Sequence, residues 1–315
     1  MQAAVIDGLS KAFFGTLAGS RGLQRLASRY GMRSPRSFAR RFVAGETIGD
    51  AIRAAEAVEA QGLRQTLDLL GESVGNEAGA MAATDAYLAM MPAMISADIA
   101  RNISIKLTQL GLDLDRDLCE ANLRAILARA RDEGFFVRID MENSPYTEAT
   151  LDIFEKVWRE GLTNVGVVLQ SALKRSEADL ARVLALGARI RLVKGAYKEP
   201  AAVAYQSKRD VDEAFLRLLR VLLPAGTLPA IATHDPVMID ATRVLSREFG
   251  VTHDRFEFQM LYGVRRDLQA SLHAEGYAVR VYIPFGGDWF PYVMRRLGER
   301  PANVGFVVRS VLRER

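Results

Sequence analysis

The sequence is poor in the residues on which many chemistries depend. Its 315 residues include one cysteine, Cys119, three histidines, at positions 234, 253 and 273, and two tryptophans. A single cysteine excludes an internal disulfide framework and a cysteine-ligated metal cluster, and it fits a reducing compartment. No uncharged apolar run approaches the ~20 residues of a transmembrane helix, and the N-terminal stretch lacks the apolar core of a signal peptide. Four motifs are also missing: G-x-G-x-x-G, G-x-x-x-x-G-K-[ST], H-E-x-x-H and G-x-S-x-G. Their absence removes the main support for a dinucleotide-binding open sheet, a phosphate loop, a zincin and a hydrolase elbow.

What is present is ordinary for a soluble globular protein: 49% apolar and 25% charged residues, with 25 Gly and 10 Pro. Disorder and collagen are excluded. The net charge of +4 is too small to argue for nucleic acid, but it is unevenly spread. Residues 11 to 41 hold Lys11, Arg21, Arg25, Arg29, Arg33, Arg36, Arg40 and Arg41 without an acidic residue, a local +8 that leaves −4 elsewhere.

The first ~60 residues read as helices. Leu23, Leu26, Ala27 and Tyr30 recur at helical spacing, and Arg21, Arg25 and Arg29 share another face. Ser34 and Pro35 interrupt the pattern, and a further helix is expected over roughly 47 to 61.

From residue 64 the rhythm changes to short apolar runs alternating with amphipathic stretches. Eight runs are expected to be strands: Gln65 to Leu70, Ile103 to Leu107, Phe136 to Ile139, Val165 to Leu169, Ile190 to Val193, Ala230 to Thr233, Phe256 to Met260 and Val279 to Ile283. Intervening segments such as Glu120 to Asp132, Tyr146 to Glu160 and Asp210 to Leu223 are long enough for helices. Parallel strands need crossovers, and eight strand-helix units close at barrel size. The expected architecture is an α/β (βα)8 barrel over residues 64–315, with an N-terminal helical arm over 1–63.

Active sites in such barrels form at the C-terminal strand ends, and polar residues collect there. Strand one leads to Gly71 and Glu72, strand two to Lys106, strand three to Asp140 and Glu142, and strand four to Gln170. Strand five contains Arg191 and leads to Lys194, Gly195, Ala196 and Tyr197; strand six leads to His234 and Asp235. Strand seven carries Gln259, Leu261 and Tyr262, and strand eight Tyr282. Any one of these suits a helix cap or a solvated loop, but the set does not. Arg295 and Arg296 follow Trp289, Phe290 and Tyr292 on an expected helix. They make either a solvated basic face or a guanidinium fork for a carboxylate, and with Lys106 they would favour a small anion.

Two other classes compete. His234 with Asp140, Glu142 and Asp235 would serve a metal-dependent lyase or hydrolase acting on a small carboxylate, although one His and three carboxylates is a weak ligand signature. The basic arm would serve a nucleic-acid module. Cys119 lacks a histidine partner for a nucleophilic role, and His253 and His273 are expected at the surface.

Five strings then bear on the family. Arg-Leu-Val-Lys-Gly-Ala-Tyr from Arg191 to Tyr197, Ala-Thr-His-Asp from Ala232, and Phe-Glu-Phe-Gln-Met-Leu-Tyr-Gly from Phe256 are the first three. Tyr-Ile-Pro-Phe-Gly from Tyr282 and Arg-Arg-Leu-Gly-Glu from Arg295 complete the set. Together the chain resembles the bacterial proline dehydrogenase family over residues ~64 to 305. The resemblance is to the stand-alone form rather than the bifunctional fusion, an expectation resting on nothing following the barrel.

The resemblance implies a distorted barrel binding FAD non-covalently. It implies oxidation of L-proline to Δ1-pyrroline-5-carboxylate by hydride transfer to flavin N5, with electrons passing to a membrane quinone, as the first step of proline catabolism to glutamate. By motif, Arg295, Arg296 and Lys106 would hold the substrate carboxylate. Tyr282, Tyr197 and Leu261 would pack around the ring, and Glu299 would sit near the amine. Asp140 would orient the cationic groups and Arg191 would reach the flavin's reactive edge. Met141, Gln170, Lys194, Gly195, Ala196, Thr233 and His234 match FAD-binding positions, with no metal, and Glu72 matches a gate that pairs with Arg295. The resemblance further implies a cytoplasmic enzyme at the inner membrane face, with no nucleic-acid partner, passing product to pyrroline-5-carboxylate dehydrogenase. The arm is then either a set of packed helices with solvated arginines or a cationic face toward anionic lipid.

Overall fold

The structure, a computed structural model, describes Met32 and residues 37–298. Eight strands form one closed, wholly parallel barrel in chain order. They are β1 (Arg64–Leu69), β2 (Asn102–Ile105), β3 (Phe136–Ile139), β4 (Val165–Gln170), β5 (Arg189–Val193), β6 (Ala230–Ala232), β7 (Glu257–Leu261) and β8 (Ala278–Phe285). β8 closes on β1 in a register running from Arg64 opposite Arg280 to Leu69 opposite Phe285. Among the described residues the helices are a 3-10 turn, Phe38–Arg41, then α1 (Ile48–Glu59), α2 (Glu77–Ser96), α3 (Arg116–Asp132) and α4 (Ser144–Arg159). They continue with α5 (Ser176–Leu184), α6 (Lys208–Ala225), α7 (Pro236–Glu248), α8 (Arg266–Ala274) and α9 (Trp289–Gly298). The barrel expected from the eight-run rhythm is the barrel observed.

Local chemistry explains the boundaries. Thr47 and Asp50 form a reciprocal capping box that starts α1. Asn76, Asp115 and Ser207 cap α2, α3 and α6 by accepting from backbone N–H groups three residues on. In α6 the buried face is Ala214, Phe215, Leu218, Leu219, Leu222 and Leu223, a helical stripe laid on the sheet. Strand residues facing the helices, among them Leu67, Ile103, Ile105, Val137, Val167, Ile190 and Ile231, are fully buried in the main core.

The other strand face looks into the barrel. Arg191 on β5 reaches Ser104 on β2, and Tyr282 on β8 reaches Asp140 beyond β3; neither strand pair is adjacent in the sheet, so both contacts cross the interior. The strands therefore alternate between an apolar outer face and a polar lumen.

The segment before α1 docks at the C-terminal mouth. Ala39, Phe42 and Val43 share an apolar cluster with Leu70 and with Trp289, Tyr292 and Val293 of α9. The Trp289 indole donates to Glu46 at 3.0 Å. Gly263, at φ +70°, admits this segment, since a Cβ there would lie 1.6 Å from the Arg41 carbonyl oxygen. Of the basic arm, residues 11–31 and 33–36 lie outside the described residues, together with the helices expected there. Arg40 donates to the Met32 carbonyl at 3.1 Å and stands 3.9 Å from Asp50, so it helps fold this segment.

Candidate active site

Six polar side chains meet in the lumen at the C-terminal mouth. Asp140, just past β3, accepts from Arg191 Nη1 at 2.6 Å on one oxygen and from the Tyr282 hydroxyl at 2.7 Å on the other. Lys106, just past β2, donates to Asp68 of β1 at 2.9 Å and lies 3.5 Å from the Tyr282 hydroxyl and 3.7 Å from Asp140. Arg191 Nη2 donates to Ser104 at 3.1 Å, and its guanidinium lies 5.4 Å from the Tyr282 ring centroid. Two carboxylates thus face two cations in a largely buried site, where each contact is stronger than it would be in water.

Protonation states follow from this pairing. Burial opposes the Lys106 ammonium, but Asp68 and Asp140 outweigh it and hold its pKa well above the usual lysine value. Burial, with the Asp140 and Asp68 carboxylates beside it, pushes the Tyr282 phenol well above its usual range, so Tyr282 acts as a donor to Asp140. Burial and the nearby Asp140 push the Asp68 carboxyl up, against the pull of Lys106.

Lys106 also forms the floor of a cavity of about 360 Å³ that Leu70, Gly71, Glu72, Phe290, Tyr292 and Arg295 help to line. Arg295 on α9 makes a two-pronged ion pair with Glu72, at 2.7 and 3.2 Å. Burial works against the Arg295 charge, and Glu72 and Tyr197 more than restore it. The Arg296 guanidinium lies over the Tyr292 ring at 5.3 Å, next to Arg295 in sequence but not among the residues lining this cavity. Leu261 is in register with Tyr282, which puts both on the same barrel face. Burial and the Glu72 charge push the Tyr197 phenol up, which places it within the electrostatic reach of this end. Glu299 lies outside the described residues.

The remaining residues form a second group on the β3–β6 side. Gln170 at the end of β4 donates to the Glu142 carbonyl at 2.8 Å, and Glu142 is fixed by the Thr108 hydroxyl and backbone at 2.6 and 3.1 Å. Met141 is buried between Asp140 and Glu142. Lys194 bonds Asp212 and, at 2.6 Å, Asp235, which caps α7 through the Val237 N–H at 3.0 Å. Thr233 accepts from the Asp235 N–H at 3.1 Å. His234 Nε2 accepts from the Leu261 N–H at 2.9 Å, which leaves the ring proton on Nδ1.

The set fits a flavin dinucleotide. Gly195 at φ +112° leaves open a place where a Cβ would sit 2.9 Å from the Gln170 amide oxygen. Arg191 Nε is a buried donor with no hydrogen-bond partner, and Lys194 adds a cation to the same rim. Donors gathered at strand ends beside a helix N-terminus suit a ligand of phosphates and ring acceptors.

The proposed metal constellation does not assemble. Asp140 is engaged by Arg191 and Tyr282, Glu142 by Thr108, and Asp235 by Lys194, and no metal-holding group of His, Cys, Asp or Glu occurs among the described residues. Cys119 is buried and its thiol is pushed up to about 12 by burial, so it is inert. His253 and His273 are at the surface.

Sequence reasoning missed Asp68, the buried partner of Lys106, and Ser104, which holds Arg191. The signal was available: alternation in Arg64–Leu69 puts Thr66 and Asp68 on one face, next to β2.

A sequence model described as proline dehydrogenase matches residues 51–309. A proline dehydrogenase of Deinococcus radiodurans is 45% identical over 281 residues, covering 88% of this chain and 91% of its own. Proline dehydrogenase 2 of Bacillus subtilis is 40% identical over 306 residues, covering 97% and 100%. In fold the chain resembles proline utilization A of Bdellovibrio bacteriovorus, with a TM-score of 0.77 at 24% identity, over 82% of this chain but only 32% of that longer one. With a lumen site of this chemistry and relatives matched over nearly their full length, the chain belongs to the proline dehydrogenase family of oxidoreductases.

Proposed function

We propose that this chain oxidises L-proline to Δ1-pyrroline-5-carboxylate with FAD as its cofactor, passing electrons to a membrane quinone. The observation that carries the reading is the cavity in which Lys106 and Arg295 converge above the Asp140–Tyr282–Arg191 array. Family membership supplies the class of substrate, and the two cations supply a reason for its carboxylate.

Bound FAD would supply a two-electron acceptor for the hydride leaving proline C5, in keeping with the division of labour between cofactor and protein. Met141, Gln170, Arg191, Lys194, Gly195, Ala196, Thr233 and His234 would hold it. Lys106, Arg295 and Arg296 would anchor the carboxylate, and Tyr282, Leu261 and Tyr197 would flank the ring. Fixing donor and acceptor in this way is a positioning effect. Asp140 keeps Tyr282 and Arg191 in place, and the buried cations favour the neutral amine from which hydride departs. Glu72 would release Arg295 to the incoming carboxylate, and Glu299 would stand near the amine.

The N-terminal arm, residues 1–63, is read as a unit beside a catalytic barrel of 64–315. Its cationic stretch is read as meeting the inner face of an anionic membrane, where the quinone is found. Among the described residues no helix is long and apolar enough to cross a membrane. Transfer of product to a pyrroline-5-carboxylate dehydrogenase is part of the same reading.

The test is the visible spectrum of the purified protein. A flavin band that bleaches on adding L-proline without oxygen supports cofactor and substrate together. Colourless protein that takes up no FAD overturns the proposal.

A further inference from the structure

At the end of the barrel opposite Lys106 and Arg295, four arginines gather. Arg64 and Arg280 face each other in register on β1 and β8, and Arg138 on β3 and Arg189 on β5 both stand in register with Gly166 on β4. The glycine is required: a Cβ there would fall 2.6 Å from Arg138 Nη1 and 2.4 Å from the Arg189 carbonyl oxygen.

Glu257 on β7 is the carboxylate that answers this cluster, and two arginines already share it. Arg280 donates to it at 2.8 and 3.0 Å, and Arg64 stands 3.4 Å away. Arg138 instead donates to two carbonyl oxygens, of Val167 at 3.1 Å and Arg189 at 2.6 Å. The guanidinium carbons of Arg138 and Arg189 lie 4.9 and 4.8 Å from the centroid of the same Phe136 ring. Neither forms an ion pair among the described residues. Carbonyl dipoles and a ring face ease a cation but do not cancel its charge, so the cluster keeps a net +3.

A guanidinium cannot shed its proton to relieve this. Burial, with repulsion from Arg191, Arg280 and Arg189, bears on Arg138 strongly enough to push its pKa well below the usual arginine value. Arg138 Nε is also a buried donor without a hydrogen-bond partner, in a side chain only 3% exposed. Solvent has access at the rim, because Arg64 is 54% exposed and Arg189 is half-buried.

We propose that this mouth of the barrel binds a small inorganic anion, a halide or oxyanion, held by Arg138 and Arg189 with Arg64 at the rim. The anion supplies the negative charge that the lumen lacks, so it acts on stability from the far end of the barrel. The proposal is independent of the oxidoreductase reading.

The experiment is thermal unfolding of the purified protein at fixed ionic strength, exchanging gluconate for chloride or for inorganic phosphate. The expected result is a saturable rise in Tm of a few degrees, the size a specific ligand gives a domain of this length. Arg189→Gln should abolish the rise, Arg189→Lys should keep it, and Arg295→Gln at the opposite mouth should leave it unchanged. Arg189→Glu should raise Tm in gluconate and remove the dependence, because the anion is then built in. No rise in the unsubstituted protein, or an equal rise in Arg189→Gln, overturns the proposal. Should Arg189→Gln fail to fold, crystals grown in bromide decide: an anomalous peak against Arg138 and Arg189 supports the site, and its absence overturns it.

Discussion

Lys106 and Asp68 form a buried ion pair, with Nζ 2.9 Å from Oδ1 and side-chain exposures of 8% and 0%. Removing one partner of such a pair strands the other. Lys106→Met should therefore cost ~3–5 kcal/mol at neutral pH. Without the ammonium, Asp68 would have a folded pKa above its unfolded value, so the cost is full above that folded pKa and fades as pH falls toward 4. The double variant Lys106→Met with Asp68→Leu should be more stable than Lys106→Met alone. Urea unfolding of the unsubstituted protein, Lys106→Met, Asp68→Leu and the double variant at pH 7 and 5 checks this; additive losses with no pH dependence would contradict the pairing.

Glu257 contributes to the acid limb. Burial disfavours its charge, but Arg280 and Gln259 overcome that and hold its carboxyl down at about 2, against an ordinary 4.5. The folded value lies below the unfolded one, so its contribution is present above pH ~4.5 and is lost as pH falls toward 2. The contribution is on the order of 3 kcal/mol. Glu257→Gln should lower stability at pH 7 and flatten stability against pH between 4.5 and 2. An acid limb parallel to that of the unsubstituted protein would rule this out.

Arg295→Met and Arg296→Met should each raise KM for L-proline while FAD stays bound. Removing a buried charge-assisted hydrogen bond between enzyme and substrate costs ~2–4 kcal/mol, or roughly 30- to 1,000-fold. Steady-state kinetics alongside the flavin spectrum separates weakened substrate binding from weakened cofactor binding. An unchanged KM in either variant removes that arginine from the carboxylate clamp.

Tyr282 shares a barrel face with Leu261 and donates to Asp140, so it combines bulk with a fixed position. Tyr282→Ser should relax discrimination against hydroxyproline by opening space beside the ring. Tyr282→Phe keeps the bulk and should keep the discrimination. The ratio of kcat/KM for the two substrates is the measurement, and a Ser variant with the original ratio refutes the role.

The fold was legible because strands of a parallel barrel are packed on their outer face by helices and so appear as apolar runs. Seven of the runs needed adjustment at their ends, by one or two residues each. β8 extends to Phe285 because its pairing with β1 continues through Pro284 to Phe285, three residues past the point where its pairing with β7 ends at Tyr282. Lys106, Asp140 and Arg191 stood out as members of a set, because charged and polar residues recur in or just after most of the strands. Asp68 did not stand out, since one acidic residue inside an otherwise plain strand acquires meaning only when the lysine of the next strand is placed beside it. The arginine cluster on Phe136 was invisible for the same reason: its members come from β1, β3, β5 and β8, and only barrel closure brings them together.

The apolar cluster joining Phe42 and Val43 to Trp289 and Tyr292 ties the chain's early residues to the helix that carries Arg295. The early segment and the proposed carboxylate clamp therefore share one helix as their support. If the two are coupled, linkage makes the coupling reciprocal, whatever its sign. A change in proteolysis near residue 42 when the pocket is occupied would reveal such a coupling, and protection that does not respond to ligand would show the two ends of the helix to be energetically separate.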